Sequence, residues 1–252
     1  MTTRESRYSI LLTLDDWDAF LMENSGLPGP RANLELVQAV ADLGDRSRFD
    51  RWLTLTPEQA PTNTPEVFLV VCGAVGLGRL VAEGDHSLVP RLRVLANDPR
   101  WRVREAVAMA LQRWGAADMA GLVAEMEDWA AGSRLEQRAA VAALAEPPLL
   151  RNPAHAAPVL GIFDHVTASL SGAADRRTDD FRVLRQALGY AWSVVAVAFP
   201  DPGLARMERW MASLDPDIRW VMRENLKKSR LTRLDAAWVE QAKDKMAREP
   251  EA

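Results

Sequence analysis

Charge and an aromatic plane occur together twice in this chain, and this pairing is the clearest chemistry it offers. Around Trp101, six arginines between residues 91 and 113 face only Asp98 and Glu105; around Trp220, six basic residues between 219 and 233 face only Glu224. Arginine and lysine hold phosphates, while an indole stacks on a base or covers a cation. At 100° per residue, Gln112, Glu105, Met109, Arg102 and Arg113 fall within about 120° of Trp101, opposite the apolar residues of the same segment. Further on, Arg219, Arg223 and Lys227 advance in steps of four and Arg230 joins them, a basic stripe with Trp220 at its edge. A narrower polar strip, which includes Arg182 and Arg185, runs along the otherwise apolar segment Phe181 to Ala198; these two arginines can equally neutralise Asp179 and Asp180. Trp101, Arg102, Glu105, Arg113, Arg182, Arg185, Arg219, Trp220, Arg223, Lys227 and Arg230 are therefore the candidate groove residues. The competing reading is that each tryptophan fills a gap between helices and the cations are simply solvated.

Other chemistry is sparse. No phosphate-cradling glycine loop, cysteine pair for zinc or serine nucleophile elbow is present, and His86, His155 and His165 follow no metal-ligand spacing, so no cofactor and no metal are expected. Gly73, Gly76 and Gly78 lie inside an apolar helical pattern, where close packing is the expected use. The formal charge of -4 and pI near 5.5 argue against indiscriminate nucleic-acid binding. Charge is unevenly placed, however: Tyr8 to Pro30 and Gly115 to Ala130 contain no lysine or arginine, so basic helices lining one surface would still attract an anion. A lone cysteine, Cys72, sits in an apolar run and reads as a buried thiol, which points to a reducing compartment. With no export signal in the first residues and glycines interrupting the apolar run from Val67 to Leu80, a soluble, cytoplasmic protein without membrane contact is expected.

The elements that must position these residues are helices. Helical punctuation is frequent and strand alternation nearly absent, which makes the class all-α. Six apolar helices, aligned on Leu43, Val75, Leu111, Leu144, Trp192 and Leu226, recur at spacings of roughly 35 residues with one longer interval, the period of stacked supersecondary units. Val103, Ala106, Val107, Ala110, Leu111 and Trp114 share a sector of about 140° and should face the core. Trp129, Trp192 and Trp210 also read as packing residues. Asp98-Pro99 and Asp215-Pro216 read as helix starts, an aspartate N-cap followed by proline at the first helical position. The long interval carries proline-rich loops and an apolar segment, so an insertion or extra helix is expected around 146–180 within one domain spanning 1–252.

The pattern Asp98, Val103-Arg104, Ala106, Ala110-Leu111 resembles the HEAT repeat, with degenerate copies at Leu184-Arg185 to Trp192 and Ile218-Arg219 to Leu226. Longer strings, Ser25 to Pro30, Trp101 to Gly115 and Asp215 to Leu231, are similar to bacterial HEAT-repeat proteins of uncharacterised function. The resemblance implies a right-handed α-solenoid of about six helix pairs, with second helices lining a concave face and Asp98 and Arg104 in a structural ladder. It implies a non-enzymatic scaffold that binds a protein or nucleic-acid partner. A weaker resemblance, to HEAT-like DNA glycosylases that remove alkylated bases, gives the alternative: tryptophan faces suit a cationic base, and Glu105 is the candidate carboxylate. An adaptor that binds protein through its acidic face is a third reading.

Overall fold

Every regular element among the described residues is helical, and the computed structural model describes residues 9–248. The chain forms two compact units that divide after Asp118. The first contains α1 (Asp18–Glu23), α2 (Leu34–Leu43), α3 (Arg46–Trp52), α4 (Pro65–Ala82), α5 (Val89–Ala96) and α6 (Trp101–Ala117). Their starts follow local chemistry: Asn33 and Asp45 accept hydrogen bonds from the Leu36 and Arg48 amides, and Pro65 opens α4 where no donor is needed. α4 is buried on almost every side from Val67 to Gly78 and packs against α1, α2, α3 and α6. Two of its glycines make this possible. A Cβ at Gly76 would meet the Phe49 ring, and one at Gly78 would lie 2.4 Å from the Ala110 Cα of α6. The glycines thus leave the helix unbroken, and α4 is long and apolar enough to span a membrane by composition, although most of it is buried inside its unit. Cys72 sits within this helix, and burial pushes its thiol well above its ordinary pKa.

The six-residue core sector of α6 is buried as its spacing requires. Its start differs from the sequence expectation. Asp98 does not cap the helix: it accepts from the Arg100 amide at 2.7 Å and from the Arg100 guanidinium, and α6 begins at Trp101. Arg100, itself buried, also donates to the carbonyls of Leu55 and Ala60, so the pair pins the preceding loop. Arg104 donates to the Asp98 and Pro99 carbonyls of its own segment.

The second unit contains α7 (Met119–Ala130), α8 (Arg134–Leu144), α9 (Ala156–Ser169), α10 (Asp179–Ala198), α11 (Pro200–Met211), α12 (Pro216–Leu226), α13 (Ser229–Leu234) and α14 (Ala236–Arg248). α9 occupies the proline-flanked stretch where an extra helix is expected. Ser133 and Glu136 form a reciprocal capping box at α8, and Asp215 caps α12 by accepting from the Asp217 and Ile218 amides. α10 packs on α8, α11, α12 and α13. Trp192 is fully buried in it, its ring edge-on to Phe163 and its Nε1 donating to Thr167 Oγ1 at 2.9 Å. Asn225 of α12, also fully buried, accepts from the Ser193 amide and donates to the carbonyls of Leu188 and Val221, each at 2.8 Å. One carboxamide therefore stitches α12 to α10 with both of its N–H donors and its oxygen engaged.

Candidate functional site

In the first unit, a groove of about 260 Å³ lies between the Pro30–Leu34 segment and the first turns of α6. Val71 and Ala106 contribute its apolar floor, and Leu34, Met109, Glu105 and Trp101 line it. Trp101 is 46% exposed and Leu34 54%, so two large apolar side chains meet solvent at the same groove. The indole is held from one side by the Arg102 guanidinium, 4.3 Å from the ring centroid. Arg102 is buried and fixed in turn: Nε donates to the Thr62 carbonyl at 2.9 Å, and Nη2 to the Gly29 carbonyl at 2.6 Å and Asn63 Oδ1 at 3.0 Å. Burial lowers its pKa from the ordinary arginine value. Its acceptors come from the loops before α2 and α4, so the chain fastens the cation beneath the ring before any ligand arrives. Arg113 lies away from this groove, hydrogen-bonded to Gln38 and ion-paired with Asp42.

The candidates on the second unit separate from one another. Arg219 is not on the surface: it is 2% exposed, with Nη1 donating to the Met211 carbonyl at 3.3 Å and Nη2 to the Met246 carbonyl at 2.9 Å. The basic stripe is corrected accordingly. Trp220 is half-buried, with the Arg185 guanidinium 4.4 Å from its ring and its edge against Gly189. Arg185 pairs with Asp217, Arg182 with Asp179 at 2.7 Å, and Lys227 with Glu224. Arg223 is half-buried on α12. Arg230 leaves the stripe altogether, because α12 ends at Leu226 and Arg230 rides on α13. There it lines a second concavity, of about 690 Å³, with Arg151, Arg233 and Tyr190. Sequence reasoning missed Leu34, Pro30, Arg151 and Arg233; the only available signals were an apolar residue next to a proline-glycine loop and arginines outside the aligned helices.

Asp215 anchors this unit electrostatically. Burial alone would raise its pKa, but two hydrogen bonds from Arg176, at 3.1 and 2.6 Å, together with the Ile218 and Asp217 amides, hold it below the ordinary value of 3.8. A carboxylate whose folded pKa is depressed stabilises the fold above its unfolded pKa and loses that contribution as pH falls through the folded value. Asp215→Asn is therefore expected to lower the urea midpoint of the second unit at pH 7, with the gap to wild type closing below about pH 4. A constant gap from pH 7 to pH 3 would contradict the assigned ion pair.

The chain matches no protein-family model, no curated protein and no solved structure. Among the described residues, no group of three or more histidine, cysteine, aspartate or glutamate side chains is placed to hold a metal ion.

Proposed function

We propose that this chain is a non-enzymatic binding protein, a HEAT-like α-solenoid that captures a protein partner by taking one of its apolar side chains into the Trp101 groove. The observation that carries this reading is the immobilised, half-exposed indole beside exposed Leu34. A rigid aromatic at an apolar concavity is the chemistry of an interface hot spot, because no side-chain entropy is lost when the partner arrives. The fate of the cations favours protein over nucleic acid here. Of the two cations in the lining, Arg31 and Arg102, the second already serves backbone carbonyls, and a phosphate held there would have to break those bonds. The solenoid reading is supported by adjacency: α2, α4 and α6 pack in that order in the first unit, and α8, α10 and α12 in the second, which are the six helices of the sequence repeat.

Random peptides displayed on phage and selected against the whole protein test this. The enriched peptides are expected to carry an aromatic or aliphatic anchor, to bind with little salt dependence, and to bind Trp101→Ala at least about tenfold more weakly. Equal binding to Trp101→Ala would overturn the groove as the site. The glycosylase alternative draws on one observation, that Glu105 lines the same groove as Trp101. Release of alkylated bases from DNA, lost in Glu105→Gln, would replace the binding reading with that one.

A further inference from the structure

Most arginines of this fold are paired, and three that are not converge on one concavity. Arg51 serves Asp18, Arg176 serves Asp215 and Asp217, and Arg206 and Arg209 serve Asp164. Arg151, Arg230 and Arg233, by contrast, make no ion pair or hydrogen bond from their side chains among the described residues, and all three line the concavity of the second unit. They arrive from separate places. Arg151 follows the turn Pro147–Leu150, and Arg230 and Arg233 are one turn apart on α13, so they share a face. The floor between them is the apolar flank of α10, Val194, Val197 and Ala198, with Tyr190 at 37% exposure beside it. Glu146 is the one carboxylate in the lining, which leaves a local charge of about +2 from three cations and one anion.

We propose that this concavity is a binding site for a small amphipathic anion, an aromatic or aliphatic body carrying a phosphate or carboxylate. Like charges brought together over an apolar floor raise the energy of the empty site, and an anion relieves that repulsion while its body covers the α10 flank. Arginine's planar donor fork matches both phosphate and carboxylate oxygens. Glu146, on the rim, suits a hydroxyl or amino donor on the ligand body and disfavours a second acidic group there. The volume falls within the range of about 300–1,000 Å³ that holds small ligands. The site is independent of the Trp101 groove and uses none of its residues.

Calorimetric titration of the whole protein with 1-naphthyl phosphate, inorganic phosphate and 1-naphthol tests the proposal. Saturable binding of naphthyl phosphate is expected, at least about tenfold tighter than either fragment, and weakened at least about tenfold in Arg230→Gln/Arg233→Gln. Both side chains are solvent-accessible, so the double variant should melt as wild type does. Val194→Phe, which fills the floor and leaves every charge in place, should also weaken binding of naphthyl phosphate. Naphthol binding as tightly as its phosphate, unchanged affinity in the double variant, or binding of a thymidine decamer with none of naphthyl phosphate would each overturn a small-anion site.

Discussion

Arg219→Glu is expected to unfold the second unit, not to strip charge from a surface. Its guanidinium bridges the Met211 carbonyl, at the last residue of α11, and the Met246 carbonyl, in the last turn of α14. Carbonyls at a helix C-terminus lack intrahelical partners and carry the negative end of the helix dipole, so a buried cation between two such ends satisfies both. A carboxylate there would face carbonyl oxygens, lose both hydrogen bonds and remain buried without a partner. The expected cost is about 4–5 kcal/mol, enough to unfold a domain near the lower end of the ordinary range of about 5–15 kcal/mol. Arg219→Met keeps the apolar stem and introduces no wrong charge, and should cost about 1–3 kcal/mol through the unsatisfied carbonyls. Urea denaturation followed by tryptophan fluorescence separates the two. A Glu variant that melts with wild type would mean that the guanidinium is solvated. The consequence reaches binding experiments: reversing charge along α12 removes any ligand by unfolding the site, so loss of capture in such a variant carries no information about contacts.

The same residue shows where sequence reading stops. A helical wheel ranks residues by angle from their own helix's apolar face, and by that measure Arg219 belongs to a basic stripe. What buries it is α14, which packs on α12 and begins some way downstream. Nothing in the spacing of α12 announces that partner. The core sector of α6 was legible because apolar residues at helical period need no knowledge of the neighbour, only that one exists. Trp101 was legible for the same reason, as it lies opposite that sector. The guanidinium beneath it was not, since the acceptors for Arg102 lie on the loop carrying Gly29 and on Thr62 and Asn63. Asp215 acts as the cap its type and position imply, whereas Asp98 is drawn off by Arg100 two residues on. Local rules hold until a nearby charge offers the same carboxylate a better partner.

Replacing Gly78 and Gly161 by alanine should move stability in opposite directions, although each glycine lies within an α-helix. Intrinsic propensity favours alanine over glycine in a helix by about 1 kcal/mol, and that gain is available wherever the added methyl meets nothing. Gly161 of α9 is exposed, and a Cβ there has no atom within 4 Å. Gly161→Ala is therefore expected to stabilise the second unit by up to about 1 kcal/mol. At Gly78 the methyl would stand 2.4 Å from the Cα and 2.5 Å from the carbonyl oxygen of Ala110. Those are backbone atoms of a neighbouring helix, so relief requires α4 and α6 to separate, and both are tied elsewhere: α4 by Phe49 against Gly76, α6 by Arg100 to the Leu55 and Ala60 carbonyls. Forced overpacking costs about 1–3 kcal/mol and occasionally more, which outweighs the propensity gain. Gly78→Ala should thus lower the stability of the first unit by about 2 kcal/mol, and because Ala110 is on the helix that carries Trp101, it should also loosen the groove and weaken peptide capture. Urea melts of the two variants side by side decide the matter, and a stabilised Gly78→Ala would show that α4 and α6 do not approach as closely as their glycine-alanine contact implies.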